Sequence, residues 1–346
     1  MEEKQNGSPQ RESLAAASPI LLEGWNMKYC VGIDLGGTNI AVGVVDKQAR
    51  QIVTRAKRKT NAHRPWQEIA EDMIAAAKEA VEELGCGWEQ IESIGIGSPG
   101  MVDVEKREIV FAGNLPFQHT PLAAYIEERV SCPVFLENDA NAAAYGEFAA
   151  GAGRGTKSMV AITLGTGVGS GIIIDCKIYS GYGFAAGEIG HNVLVVNGRQ
   201  CSCGRKGCFE AYASATGLIC TTREYMEQHR NSLMWEEAEQ SIDKVSGRTA
   251  FNAMRRGDPW AKAVVEEYTA YLAEGIVNVV NALQPEVVCL GGGISKEGDN
   301  LLAPINQYIE KYAFARFADR KTKVVIAQLG NDAGILGAAL LGLQEE

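Results

Sequence analysis

The sequence predicts an α/β protein of two lobes. Three observations carry this. A succession of three strand-like runs, a helix and a fourth strand occurs twice along the chain, which marks an internal duplication. Each copy has a glycine turn between its first two strands, and 346 residues are enough to bury two modest cores.

The first copy opens with strand-like runs at 28–35, 40–45 and 51–57, separated by Gly-Gly-Thr-Asn and Asp-Lys-Gln-Ala-Arg turns. A helix over 66–84 places Trp66, Ile69, Met73, Ala77, Val81 and Leu84 on one face. The strand 93–97 then ends in Ser98-Pro-Gly100. The second copy reads as a strand over 158–164, a tight turn through Gly165-Thr-Gly-Val-Gly169 and a hairpin partner at 170–175. Its helix spans 259–283, with Asp258 as N-cap and Pro259 at the first helical position. The apolar face of that helix is Val264, Tyr268, Tyr271, Leu272, Ile276, Val279 and Leu283, and the strand 286–290 feeds Gly291-Gly-Gly293. Between them, 223–247 has helical spacing but few strong apolar positions, and it reads as a surface helical insertion. A duplicated frame of this kind is expected to hold a nucleotide in the cleft between its lobes.

Composition narrows the function classes. A net charge of -10 leaves no basic excess to neutralise nucleic-acid phosphates or an anionic membrane. Of nine cysteines, Cys30, Cys132, Cys176 and Cys289 lie in or beside strand-like runs, where a free thiol acts as a small buried hydrophobe. An odd, scattered set implies a reducing compartment, and a cytoplasmic location is expected. No run of 18 apolar residues occurs. The apolar stretch 14–22 is flanked by Glu2, Glu3 and Glu12 against Lys4 and Arg11, which is not the positive flank of a signal peptide. Residues 1–26 are expected to form a poorly ordered tail, with Met27 an available alternative start.

The densest chemical signal is Cys201-Ser-Cys-Gly-Arg-Lys-Gly-Cys208-Phe-Glu210. Cys201, Cys203 and Cys208 stand at C-x-C-x4-C spacing, and Gly187-Glu-Ile-Gly-His191 upstream offers an imidazole. Three thiolates and one imidazole are the donor set of a closed, tetrahedral zinc site, which holds structure and does no chemistry alone. Around it lie Glu188, His191 and Glu210, carboxylates and an imidazole that suit the hydroxyls of a sugar. Three glycine turns could present backbone N–H groups to phosphate: Asp34-Leu-Gly-Gly-Thr-Asn39, Gly165-Thr-Gly-Val-Gly169 and Gly291-Gly-Gly293. Each alone is equally compatible with a structural hairpin, and there is no Walker lysine motif. In Glu137-Asn-Asp-Ala-Asn, Asp139 follows a strand (133–136) and opens an alanine-rich helix. Either Asn138 or Asp139 caps that helix, or Asp139 projects into a cleft as a general base.

These motifs together closely resemble the ROK family of bacterial sugar kinases and sugar-responsive repressors, over the stretch from about Met27 to the C-terminus. The resemblance is strongest to the ATP-dependent glucokinases. It implies a two-lobed hexokinase/actin-like ATPase (ribonuclease H-like) fold with a zinc knuckle in the larger lobe. A small α/β domain is expected over 27–144, completed by a C-terminal helix at 332–346, and a large one over 145–331. The resemblance implies transfer of the γ-phosphate of ATP to the 6-hydroxyl of a hexose, with glucose the leading candidate. N-acetylmannosamine, N-acetylglucosamine, fructose and mannose are the alternatives. Asp139 matches the family's base, and Ser98, Pro99, Gly100, Asn114, Asn138, Asp139, Glu188, His191 and Glu210 the sugar positions. Asp34, Gly36, Gly37, Thr38, Asn39, Thr166, Gly167, Gly291, Gly292 and Gly293 fall in the nucleotide loops, with Mg²⁺ accompanying ATP. His191, Cys201, Cys203 and Cys208 match structural zinc ligands. A homodimer or homotetramer is implied, with no nucleic-acid or membrane partner. Asn114-Leu-Pro-Phe117 departs from many family glucokinases, which carry tryptophan at the last position. The non-enzyme reading is a sugar-sensing regulator. Family repressors carry a winged-helix domain ahead of the core, and the residues before Met27 show no helix-turn-helix pattern or basic surface.

Overall fold

The computed structural model describes residues 28–344. The tail expected over 1–26 lies outside them. The duplication is realised as two five-stranded mixed sheets of equivalent order.

In the first half the strands are β1 (Tyr29–Leu35), β2 (Asn39–Asp46) and β3 (Gln51–Lys59), then helix α1 (Trp66–Leu84) and β4 (Ile91–Ser98). A small antiparallel sheet follows, made of β5 (Met101–Asp103), β6 (Glu108–Phe111) and β7 (Gln118–Thr120). Helix α2 (Leu122–Val130), strand β8 (Val134–Asn138) and helix α3 (Asp139–Ala150) complete this half. The second half has β9 (Met159–Leu164), β10 (Val168–Ile174) and β11 (Lys177–Ile178), followed by α4 (Glu210–Ala213), α5 (Ala215–Gln228), α6 (Met234–Glu237), α7 (Thr249–Arg255) and α8 (Pro259–Leu283). It closes with β12 (Val287–Gly292), α9 (Asp299–Tyr312), β13 (Lys323–Ile326) and α10 (Ala333–Ala339). The sheet orders are β3-β2-β1-β4-β8 and β11-β10-β9-β12-β13.

Pattern and packing agree along the two long helices. In α1, Ile69, Met73, Ala77 and Val81 are buried, while Trp66 and Leu84 pack at the edge of the same core. Asp258 caps α8 by accepting the Trp260 and Ala261 N–H groups at 2.7 and 3.0 Å, and Pro259 sits in its first turn. Leu283, expected on the buried face of α8, is exposed because it is the last helical residue.

Several boundaries differ from expectation. Val168 and Gly169 belong to β10, so the turn is confined to residues 165–167, and β8 extends through Asn138. Cys30, Cys132 and Cys289 are buried, but Cys176 is exposed at a left-handed position (φ 66°) in the β10–β11 turn. The 223–247 stretch is not a surface insertion. Met226, Met234, Ala238 and Val245 are buried in the same core as α8. The chain crosses this stretch in short helical pieces, which scatters its apolar positions off a single period. The C-terminal helix is likewise shorter than 332–346: α10 ends at Ala339, a 3-10 turn runs over Leu341–Gln344, and residues 345–346 lie outside the described part.

Short as it is, α10 is central. It lies against β1 and β4 and crosses α3 at backbone contact. A Cβ at Gly32 would stand 1.9 Å from Ile335 O, one at Gly95 1.7 Å from Ala338 O, and one at Gly337 1.6 Å from Ala142 O. Only glycine permits that approach. On its other side α3 packs on β10, where a Cβ at Gly171 would meet that of Ala144 at 2.5 Å. Helix α3 therefore runs between the two sheets, and its N-terminal residue is Asp139.

Candidate active site

Parallel strands end together. β1, β4 and β8 run side by side, with Asp34 opposite Gly97 and Ser98 opposite Asn138. Their carboxyl ends deliver Asp34, Ser98–Gly100 and Asn138–Asp139 to one edge, which is where open α/β sheets place their ligands. In the second sheet β9 and β12 are parallel and end at residues 165–167 and 291–293.

The choice between the two caps resolves in favour of Asn138. Its Oδ1 accepts the Ala140 and Asn141 N–H groups at 2.9 and 3.2 Å, and its Nδ2 donates to Gly100 O at 3.0 Å. Asn138 thus fixes both the start of α3 and the Ser98–Gly100 turn, in which Gly100 takes φ 96°. Asp139 is left half-buried at the first helical position, with one oxygen 2.9 Å from the Ala140 N–H. Burial holds its carboxyl above the ordinary value, against the opposing pull of that N–H. Asp34 is pushed up to about 6, by burial first and by the charge of Asp139 second. The two carboxylates are near enough to repel each other.

The first glycine turn is a tied hairpin. Gly36 N–H donates to Asn39 O at 2.9 Å, and the Thr60 hydroxyl donates to Gly36 O at 2.6 Å. Thr38 is exposed, and Asn39 Oδ1 is buried without a hydrogen-bond partner among the described residues. Asn114 leans on this turn, since a Cβ at Gly37 would lie 2.9 Å from its Nδ2. Phe117 is 2% exposed and packs in the first core, so it can act on the site only through the loop bearing Asn114. Gly291–Gly293 closes against β9, with Gly292 at φ 88° and its missing Cβ 2.4 Å from Leu164 O.

The cysteine loop folds back through Gly204 and Gly207, both at positive φ, and pairs with the chain around Val193–Val195. His191, Cys201, Cys203 and Cys208 bring their ligand atoms within 4.8 Å of one another. A zinc ion with Zn–S of about 2.3 Å and Zn–N of about 2.0 Å in a tetrahedron sets S···S near 3.8 Å and S···N near 3.5 Å. Cys203 Sγ and Cys208 Sγ are 3.7 Å apart, and Cys201 Sγ and His191 Nδ1 3.6 Å. The donor set and spacing fit. With Nδ1 turned to the sulfurs, Nε2 of His191 faces Glu188 at 4.0 Å.

Glu210 is placed differently from a free sugar ligand. Its Oε2 accepts the Val168 N–H at 3.0 Å and its Oε1 the Ser202 hydroxyl at 3.0 Å, with Cys201 Sγ 3.6 Å away. Glu188 is not drawn into this network, and its side chain is 69% exposed. Thr166 is anchored through its carbonyl, which accepts the Thr216 hydroxyl at 2.8 Å.

A polar network beneath the cleft escaped sequence reasoning. Glu137 is buried, and its Oε1 accepts the Asn138 N–H and Asn141 Nδ2 at 2.8 and 3.0 Å. Its Oε2 takes the Ser180 hydroxyl at 3.3 Å, and burial raises its carboxyl. The signal was present: Glu137 and Asn141 are spaced i, i+4 across Asp139, but a buried carboxylate is not readable from polarity alone.

Comparison with known proteins follows the same lines. The model of the ROK family matches residues 30–345. A glucokinase of Halalkalibacterium halodurans is 38% identical over 320 residues, which cover 92% of this chain and 96% of that protein. Among solved structures, a ROK family glucokinase from Streptomyces griseus, in complex with glucose and AMPPNP, is 36% identical with a TM-score of 0.72, covering 91% of this chain and 99% of that one. A ROK hexokinase from Thermus thermophilus is 33% identical with a TM-score of 0.73, covering 92% and 100%.

Proposed function

This chain belongs to the ROK family, and from that premise we propose that it transfers the γ-phosphate of ATP to the 6-hydroxyl of glucose, with Asp139 as general base. It is an ATP-dependent hexokinase of the α/β ROK sugar-kinase fold. The observation that carries the mechanism is Asp139 itself. Its carboxylate is half-buried between the two sheets, accepts the Ala140 N–H, and stands at the N-terminal end of a helix that Asn138 has already capped.

In this reading the sugar lies against the knuckle side of the cleft. Asn114, Asn138, Glu188, His191 and Glu210 offer it donors and acceptors, with the Ser98–Gly100 turn as a wall. Asp139 takes the proton of the 6-hydroxyl, the oxygen attacks the γ-phosphorus in line, and the bond to the ADP oxygen breaks. Phosphoryl transfer depends on positioning and charge stabilisation, so a rigid sugar clamp plus one base is a sufficient protein contribution. Asp34, Gly36–Asn39, Thr166–Gly167 and Gly291–Gly293 line the nucleotide side. Mg²⁺ accompanying ATP would supply neutralisation of the phosphates, next to a pair of carboxylates that has no cation of its own among the described residues. A structural zinc would hold His191, Cys201, Cys203 and Cys208 together and fix the imidazole whose Nε2 is left for the sugar.

An ATP-coupled assay over glucose, mannose, fructose, N-acetylglucosamine and N-acetylmannosamine, read as kcat/KM, tests the substrate. The reading expects glucose to lead. A higher kcat/KM for another sugar replaces glucose, and sugar binding without turnover replaces the kinase by a sensor.

A further inference from the structure

Away from the cleft, three arginines converge on one cavity. It has a volume of about 370 Å³ and is lined by Arg50, Arg55 and Arg154 with Asp332, Leu329 and Ile52 among its walls. In a chain of net charge -10, three guanidinium groups against one carboxylate make a local reversal of sign.

Each arginine is placed by the backbone. Arg50 occupies a left-handed position (φ 53°) in the β2–β3 hairpin and donates from Nη1 to Ala149 O at 2.6 Å, so it neutralises the C-terminal end of α3. Arg55 forms a two-pronged pair with Asp332 at 2.7 and 2.8 Å. Arg154 stands on the Gly151–Gly155 turn after α3, exposed and without an ion pair among the described residues. That turn is rigidly held. The buried carboxylate of Glu147 accepts the N–H groups of Ala152, Gln328 and Leu329 at 3.0, 3.1 and 2.7 Å, which joins the Arg154 turn to the segment leading to α10.

We propose that this cavity binds a phosphate-bearing small anion, either inorganic phosphate or a phosphomonoester. Planar guanidinium groups supply paired N–H donors that match phosphate oxygens. The volume falls in the range of small-molecule sites and leaves room for a substituent on the phosphate. The site draws on three separate segments, the β2–β3 hairpin, the α3–β9 turn and the start of α10, so an occupant ties them together. It also has a route to the cleft. Asp332 is two residues before Gly334, whose Cα lies against Asp34, since a Cβ there would be 2.8 Å from Asp34 Oδ2. An anion that competes for Arg55 therefore acts on the same helix turn that backs Asp34. The proposal does not depend on the identity of the sugar.

Calorimetric titration of the full chain, saturated with AMPPNP and glucose to fill the cleft, tests it with two probes, inorganic phosphate and glucose 6-phosphate. At least one probe is expected to bind one site, with affinity about tenfold or more weaker in Arg154→Glu and weakened to a smaller degree in Arg154→Gln. Both variants should melt as the wild type does, because Arg154 is exposed and has no ion pair to lose among the described residues. Similar affinities for the two probes assign free phosphate as the occupant; tighter glucose 6-phosphate assigns the phosphomonoester. Absence of binding by both probes, or unchanged affinity in both variants, overturns the proposal.

Discussion

The carboxylate of Glu210 accepts the Val168 N–H at 3.0 Å, and through its other oxygen the Ser202 hydroxyl at the same distance. One side chain thus ties the cysteine loop to the glycine turn between β9 and β10. The cysteine loop and the turn proposed to line the nucleotide side are mechanically one unit, and a change in either should be felt in both.

Loss of the proposed zinc should therefore be felt by nucleotide as well as sugar. Cys203→Ser removes one of four donors, and the expected result is loss of zinc with a rise in KM for both substrates. Elemental analysis beside two KM measurements checks it. Zinc-free wild-type protein with full activity would remove the metal from the account.

Glu210→Ala should lower kcat/KM by about 10–100-fold, the usual effect of removing a group that supports metal ligands. The informative readout is KM for ATP. A sugar ligand alone would move only the sugar constants, whereas the bond to Val168 requires the nucleotide constant to move too.

The crossing of α3 and α10 tolerates no side chain at its contact. Gly337→Ala puts a methyl group 1.6 Å from Ala142 O, so one helix must shift. A loss of about 1–3 kcal/mol or more is expected, as for overpacking elsewhere. Thermal melting checks this, and Gly204→Ala is an informative contrast because nothing lies within 4 Å of its missing Cβ, leaving only its φ of 88° as strain.

Asp34 links stability and pH with a definite sign. Its carboxyl is pushed up to about 6 in the folded protein, against an ordinary value of 3.8. Below the ordinary value it is neutral in both states and carries no penalty. As pH rises through 6 the folded state must hold a charge that burial and Asp139 oppose, and stability falls. Asp34→Asn should therefore melt higher than wild type at pH 7.5, with the gap closing below pH 4. Turnover runs the opposite way: the proposed base Asp139 must be ionised and burial holds its carboxyl above the ordinary value, so kcat/KM should decline on acidification from above the ordinary carboxylate value.

Much of this was legible in the chain. The repeated frame led directly to two sheets of equivalent order, because alternating burial and glycine turns are local signals. The helices at about 66–84 and 259–283 were readable, since a periodic face and, in the second, an Asp-Pro start coincide. The gathering of His191, Cys201, Cys203 and Cys208 was readable from spacing. What was not legible depends on contacts between distant segments. Asn138 was expected to touch sugar or to cap α3, but its bond to Gly100 O was not foreseen. The bond of Glu210 to Val168 was not expected, and Met226, Met234 and Val245 looked superficial and are core. In each case the partner lies on another element, and no local pattern encodes it.

The central claim is that Asp139 is the base, and Asp139→Asn tests it most directly, because Asn138 keeps the helix cap and the shape of the site is unchanged. Steady-state kinetics beside direct sugar binding should give kcat lower by about 10²–10⁴-fold with sugar affinity near that of the wild type. A kcat within a few-fold of wild type, with sugar affinity intact, would contradict the assignment.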